Sequence, residues 1–267
     1  AVKINNVFGG SNTQGNIRGG SSVKNTANEG GSGCCDNLDV GKIFGGGKSA
    51  AMYGGAEIVL GCMPDDWIEE IYAGADQADV GSDISLTLTS GKFGRVFGGN
   101  NTSGTIGGYI EVNIEENPNC GTPIIIGELY GGGNMAAYTV PKKYTDNNPN
   151  YQSPRVNVRA FTSIGNIYGG GLGNTAIVTG NPTVNINEVI VTDDDDTNHA
   201  YDPTATDTER PSFIDGVNVK LYPHTAGKMG VIGNVFGGGN AAKVIGNTNV
   251  NIGTFDEEPF ESLRARS

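Results

Sequence analysis

The sequence predicts an all-β protein folded as a single right-handed parallel β-helix, or β-solenoid, with about seven rungs of three short strands and glycine or asparagine at the corners. The first observation behind this prediction is an internal repeat, clearest in Ile232–Ile252, of which the chain contains seven imperfect copies. The second is the composition, because 44 glycines and 11 prolines would interrupt nearly every helix of ordinary length.

Each copy of the repeat is anchored on an aromatic residue that is followed within two positions by glycine. The seven anchors are Phe8, Phe44, Tyr72, Phe97, Tyr130, Tyr168 and Phe236. One aliphatic residue directly precedes each anchor, and another apolar residue stands four positions before it. Val235 and Phe236 cannot both point inward on a regular strand, so we expect the aliphatic residue inside and the aromatic residues stacked in a file.

Two further strands are predicted in each copy. The second strand is marked by Ile17, Met52, Val80, Ile106, Tyr138, Ile177 and Val244. The third strand contains Val23 in the first copy and begins its apolar–x–apolar triplet at Ile58, Leu86, Val112, Val156, Val184 and Val250 in the others. Period-two alternation turns the middle residue of the triplet, usually Asn or Thr, outward. Stacking the copies about 4.8 Å apart would pair the strands and align like residues.

The predicted solenoid spans residues 1–252, and an acidic tail follows at 253–267. The insertions are expected at 24–39, 60–67, 115–124, 142–154 and 188–228. Linkers that join a third strand to the next anchor should emerge along one edge, where solenoids carry their variation and their binding. Neither end shows an amphipathic capping helix, so we expect loops or the tail to cover the ends, or end-to-end self-association of neighbouring copies.

Charge and hydropathy exclude several partners. The net charge of −12 argues against nucleic acid, whose phosphates need a basic surface, and against docking on an anionic membrane. No apolar run approaches the roughly 20 residues of a membrane-spanning helix, so no membrane span is predicted.

All four cysteines, Cys34, Cys35, Cys62 and Cys120, lie in predicted linkers and lack the spacing of a zinc site. We expect disulfides formed in an oxidising compartment, with free thiols as the alternative. Cys62 is expected to pair with Cys34 or Cys35, because their linkers belong to adjacent rungs. The partner of Cys120 is left open.

The candidate ligand-binding residues are Trp67 in the second linker and Tyr144 and Tyr151 in the fifth-copy insertion. Aromatic rings of this kind stack on sugars, and they also commonly cover apolar surface beneath a loop or lie in a solvated loop. Both interpretations stay open for each residue.

The sixth linker contains four adjacent carboxylates, Asp193, Asp194, Asp195 and Asp196. Carboxylate oxygens are ligands for Ca²⁺, but the pattern matches no EF-hand or calcium-binding nonapeptide, and a solvated acidic loop is the alternative. No other cofactor is predicted.

The sequence predicts no catalytic residue. The outward positions of the third strand carry asparagine, threonine or valine, and Glu57 and Glu111 beside that strand lack an identifiable basic partner. The prediction therefore favours a non-enzymatic protein. The alternative is a carbohydrate-active β-helix enzyme, a polysaccharide lyase or a glycoside hydrolase.

The motifs VFGGGN (Val235–Asn240), IYGGG (Ile167–Gly171), LYGGGN (Leu129–Asn134) and VFGGNN (Val96–Asn101) are similar to those of the glycine-rich β-solenoid, adhesin-like cell-surface proteins of bacteria. The resemblance covers about residues 4–252 apart from the linkers. It implies an exported, extracellular or surface-attached protein that acts as an adhesive or spacer module. The implied partner is a host or bacterial surface glycan or protein.

Overall fold

The computed structural model describes residues 2–25, 38–117, 120–186, 190–191, 210–214, 217–221 and 230–253. The described chain is nearly all β and contains three parallel sheets. One short helix, α1 (Lys142–Thr145), occurs among these residues. The predicted all-β class is therefore confirmed.

The first sheet contains the anchor strands. In spatial order these are β1 (Val2–Phe8), β3 (Leu38–Phe44), β5 (Trp67–Tyr72), β7 (Gly91–Phe97), β9 (Ile124–Tyr130), β12 (Ser163–Tyr168) and β18 (Val231–Phe236). Every neighbouring pair is parallel, and the register places each anchor opposite the next, as Phe8 lies opposite Phe44. Strand order therefore follows the order of the repeats along the chain.

The second sheet contains the predicted third strands of the repeat. Its order is β2 (Ser21–Lys24), β4 (Ala56–Leu60), β6 (Ile84–Leu88), β8 (Ile110–Glu115), β11 (Gln152–Ala160), β14 (Asn181–Ile186) and β20 (Asn249–Ile252). All pairs are parallel, and the first apolar residues of the triplets lie opposite one another from Val23 to Val250.

The third sheet is shorter and holds the predicted second strands. Its order is β10 (Tyr138–Thr139), β13 (Val178–Thr179) and β19 (Val244–Ile245), and single parallel bridges link Ile17, Met52, Val80 and Ile106 in the earlier repeats. The prediction of Ile177 for this column is wrong by one residue. Val178 pairs with both Tyr138 and Val244 and is buried, because its side chain points into the apolar interior.

The core consists of aliphatic side chains that face one another between the sheets, and Leu86, Val96, Val112 and Leu129 are completely buried. The anchor aromatics form a separate cluster, with Tyr72, Phe97 and Tyr130 also completely buried. Consecutive anchor rings stack with centroids 4.6–5.0 Å apart and interplanar angles of 3–10°. The predicted file of aromatics and the inward position of the aliphatic residue are both confirmed.

A glycine column inside the first sheet allows this arrangement. Between the two inward aliphatic residues of a repeat, Gly94, Gly127, Gly165 and Gly233 approach the backbone of the preceding repeat. A Cβ atom on Gly127 would lie 2.5 Å from the carbonyl oxygen of Gly94, closer than any side chain tolerates. A side chain at Gly127 would therefore displace the neighbouring strand, although the third repeat carries Glu69 at the equivalent position.

The sixth linker contributes a small antiparallel sheet with the order β15 (Ile190–Val191), β17 (Val217–Leu221) and β16 (Arg210–Ile214). The four candidate calcium ligands Asp193, Asp194, Asp195 and Asp196 lie outside the described residues.

Candidate functional site

The fifth-repeat insertion builds a cluster of three tyrosines. The ring of Tyr144 stacks on that of Tyr151 with centroids 4.8 Å apart, and it meets the ring of Tyr109 edge-on at 6.0 Å. The two tyrosines predicted as ligand-binding residues are thus brought together. Tyr109 was not predicted, although its position directly before β8, the strand that neighbours β11, is the signal that would have identified it.

Asp83 holds the cluster in place from the third repeat. The hydroxyl of Tyr144 donates a hydrogen bond to Asp83 Oδ1 at 2.5 Å, and the same oxygen accepts the backbone N–H of Tyr109 at 3.1 Å. Burial raises the pKa of the Tyr144 hydroxyl, and the hydrogen bond to Asp83 raises it further. The hydroxyl therefore stays protonated at neutral pH and keeps the Tyr144 ring oriented.

The insertion is also attached at its return into β11. The hydroxyl oxygen of Ser153 accepts the backbone N–H of Ile110 at 3.1 Å. It also lies 2.8 Å from the hydroxyl oxygen of Tyr138, which donates to the carbonyl of Gly108 at 3.0 Å. These buried contacts attach the insertion to the segment that leads into β8. The surface that carries the tyrosines is therefore anchored to the neighbouring repeat.

A pocket of about 160 Å³ opens beside these rings. Its lining residues are Tyr109, Ile110, Glu111, Tyr151, Gln152 and Arg155. The lining combines two aromatic rings with a carboxylate, an amide and a guanidinium group. Sites for drug-sized ligands are larger, about 300–1,000 Å³, so this pocket suits one ring of a larger ligand.

The sheet register places the two charged residues of the pocket side by side. Glu111 in β8 lies directly opposite Arg155 in β11. Glu111 also accepts a hydrogen bond from the side-chain amide of Asn157 at 3.3 Å. Glu111 therefore does have a basic neighbour, contrary to the expectation from sequence, since Arg155 belongs to the next repeat and is 44 residues away along the chain.

Trp67 lies apart from the tyrosine cluster in the fold. It begins β5 at the end of the second linker, lies opposite Lys92 in β7, and is 51% exposed. Lys92 forms a salt bridge to Asp65 at 2.6 Å. The tyrosines belong instead to the corner between the second and third strands of a repeat, so the predicted aromatic residues occupy two different corners.

The predicted pairing of Cys62 with Cys34 or Cys35 is wrong, because Cys62 forms a disulfide with Cys120. Two repeats separate these residues, and unshifted copies would place them roughly 10 Å apart at two strand spacings. Their Cα atoms are nevertheless 4.6 Å apart. The linker between theirs, which joins β6 to β7, holds only Thr89 and Ser90, so the two longer linkers that carry the cysteines can meet across it. Cys34 and Cys35 lie outside the described residues.

Comparison with protein families, with curated proteins and with solved structures finds no match for this chain. In the described part of the chain, no three His, Cys, Asp or Glu side chains come together as a metal-binding group. Among the same residues no helix has the length and apolar character needed to cross a membrane.

Proposed function

We propose that the chain is a right-handed parallel β-helix that acts as a non-enzymatic, adhesin-like binding module outside the cell. The parallel order of the sheets, one strand from each repeat, supports the β-helix. The Cys62–Cys120 disulfide supports export, because such bonds persist in oxidising compartments. The resemblance of the VFGGGN-type motifs to bacterial surface proteins supports a location at the cell surface.

The pocket lined by Tyr109 and Tyr151, called the tyrosine pocket below, is the proposed binding site. Its proposed ligand is one sugar ring of a surface glycan. Tyr109 and Tyr151 line one pocket together with the polar side chains of Glu111, Gln152 and Arg155. This shared lining is the observation that carries the proposal. Aromatic rings offer flat apolar surface to the C–H face of a sugar, and the polar groups suit its hydroxyls. Tyr144 supports the site through its stacking on Tyr151 and its hydrogen bond to Asp83.

The test is binding of the whole chain to a glycan array, followed by affinity measurement on any glycan that binds. We expect Tyr109→Ala and Tyr151→Ala to weaken binding roughly tenfold each, since each removes one stacking surface. Tyr109→Phe should retain most of the affinity, because it keeps the ring. Tyr53→Ala is the matched control, since Tyr53 is 66% exposed and does not line the pocket.

Other results would redirect the proposal. Binding that survives both pocket variants but disappears when residues 188–228 are removed would assign the ligand to the sixth linker. Binding lost only in Trp67→Ala would assign it to the second linker. A chain that binds no glycan would act as a spacer.

The enzymatic alternative has one observation in its favour, the adjacency of Glu111 and Arg155 in the pocket. A lyase or hydrolase of this architecture needs a second carboxylate beside such a pair. Glu111 is the one carboxylate that lines the pocket within the described residues. New reducing ends or unsaturated sugar products after incubation with polysaccharides would support this alternative, provided that Glu111→Gln abolishes them.

A further inference from the structure

The last repeat leaves a large apolar surface open. Its exposed apolar side chains are Val231 (64%), Phe236 (45%), Ile245 (48%), Val250 (40%) and Ile252 (74%). The equivalent anchor and third-strand residues of the fifth repeat, Tyr130 and Val156, are completely buried. The difference arises because, among the described strands, β18 and β20 each have a neighbour on one side only.

The first repeat lies at the opposite edge of the described sheets. Among the residues that the structure describes, strands β1 and β2 pair only with the second repeat, and Val2 is 59% exposed. Within the described part of the chain, the outer strands on both sides therefore have backbone N–H and C=O groups with no neighbouring strand, together with exposed apolar side chains. Such edges pair readily with another strand of the same direction.

The two ends match at five apolar positions. The anchor of the last repeat is Phe236 and that of the first is Phe8, and the inward aliphatics Ile232 and Val235 correspond to Ile4 and Val7. The second-strand residues Val244 and Ile17 correspond, as do the third-strand residues Val250 and Val23. A first repeat set on the last would therefore continue these five apolar columns with apolar residues, whereas Ile252 would lie opposite Asn25 and Ile245 opposite Arg18.

The polar column of the first sheet continues in the same way. The side-chain amide of Asn234 in β18 donates to Asn166 Oδ1 at 2.9 Å, which turns the oxygen of Asn234 toward the open side. Asn6 occupies this column in β1. The amide of Asn6 from a second copy is thus placed to donate to Asn234, as Asn234 does to Asn166.

We propose that the exposed last repeat binds the first repeat of a second copy of this chain, so that copies associate head to tail. The contact joins two different surfaces of the molecule. Because it leaves the opposite end of each copy open, it generates filaments and not closed dimers. The inference is independent of the glycan-binding proposal, since neither end includes a residue of the tyrosine pocket.

One pair of positions gives a sharp test. Val231 directly precedes the inward Ile232, as Lys3 precedes Ile4, so the side chain of Lys3 in the second copy would lie beside Val231. Both residues are largely exposed, and the ion pair of Lys3 with Asp39 at 2.7 Å is a surface contact that contributes little to stability, so substitutions there leave the fold intact. A charged side chain at position 231 would therefore attract or repel the ammonium group of Lys3 across the contact.

The experiment is sedimentation velocity of the whole chain over a wide range of concentration, with electron microscopy of the assembled fraction. We expect concentration-dependent growth into unbranched filaments. Val231→Lys should raise the concentration for half-assembly by roughly fivefold, because like charges lie directly opposite across the contact. Val231→Glu should leave that concentration unchanged or lower it. Combining Val231→Lys with Lys3→Glu should restore assembly.

The control is Tyr53→Lys, which adds the same charge on the side of the stack and should not alter assembly; circular dichroism confirms that each variant is folded. A chain that stays monomeric at every concentration overturns the proposal. Equal effects of Val231→Lys and Val231→Glu also overturn it, because they indicate non-specific apolar association. A monomer whose last repeat binds an extended apolar peptide also overturns the proposal, because the surface of the last repeat is then occupied by something other than a second copy.

Discussion

The side-chain amide of Asn185 donates a hydrogen bond to the side-chain oxygen of Asn157 at 3.0 Å, although the two residues are 28 positions apart in the chain. Asn157 in turn donates to Asn113 at 3.0 Å, and Asn251 donates to Asn185 at 2.8 Å. The result is a ladder of amides on the second sheet. Asn157 is completely buried, so its hydrogen bonds are shielded from competing water.

Interrupting this ladder should destabilise the fold. Asn157→Leu removes the acceptor of Asn185 and the donor to Asn113, and it leaves buried polar groups unsatisfied. We expect a loss of about 2 kcal/mol in the free energy of unfolding, measured by urea denaturation. Asn251→Leu at the end of the ladder removes only the bond that Asn185 Oδ1 accepts, whereas Asn157→Leu breaks the ladder on both sides, so a loss as large as that of Asn157→Leu would contradict the explanation.

The glycine column predicts a contrast between two alanine substitutions. Gly127→Ala places a Cβ atom 2.5 Å from the carbonyl oxygen of Gly94, and that backbone cannot move without disturbing the strand pairing. We expect a loss of about 1–3 kcal/mol in unfolding free energy. Gly121→Ala is the control, because no atom lies within 4 Å of the added methyl group. Equal thermal stability of the two variants would disprove the steric role of the column.

Glu70 predicts a dependence of stability on pH. Its carboxylate is buried, lies 2.6 Å from Lys42 Nζ, accepts the Tyr72 hydroxyl at 2.9 Å, and forms an ion pair with Arg95. Burial by itself raises the pKa of Glu70, but Lys42, the Tyr72 hydroxyl and Arg95 together lower it below the ordinary value of 4.5. A carboxylate with a lowered pKa in the folded state stabilises the fold above pH 4.5, and this contribution is lost as the pH falls through the folded value.

The measurement is thermal unfolding of the native chain and of Glu70→Gln across this range. At neutral pH we expect the variant to be less stable by about 1 kcal/mol, because Lys42 and Arg95 are partly exposed and solvent screens them. The difference between the two proteins should shrink as the pH falls below 4.5. A difference that stays constant into acid would show that the carboxylate charge is not what stabilises this contact.

The disulfide should be a strong stabilising element. Cys62 and Cys120 are 58 residues apart, and closing a loop of this length lowers the entropy of the unfolded chain enough to contribute about 4 kcal/mol. The double variant Cys62→Ser with Cys120→Ser should therefore unfold at a markedly lower denaturant concentration than the oxidised chain. Adding a reductant should lower the stability of the native chain to that of the double variant, and it should leave the double variant unaffected.

Several features followed from the sequence because they repeat locally. The aromatic file is one, since Phe97, Tyr130 and Tyr168 stand at the same place in copies of one motif and parallel pairing in register brings them together. The column of Val178 was missed by one residue because the second strand is short, and two adjacent apolar residues give no alternation from which to choose.

The candidate site was predictable only in part. Tyr144 and Tyr151 were found as aromatic residues in a polar insertion. Their association with Tyr109, Glu111 and Arg155 depends on which strands are neighbours and on the direction in which the insertion folds back. No local pattern encodes that direction, since it is set by contacts such as that of Tyr144 with Asp83, 61 residues away.

The sequence by itself determined the repeat, the inward aliphatic columns and the file of stacked aromatics, because like residues at like positions pack best over one another. Only the tertiary structure decided the Cys62–Cys120 pairing, the tyrosine pocket and the open apolar ends. These depend on the paths of linkers of unequal length and on where the stack of strands terminates, and neither is a property of the repeat.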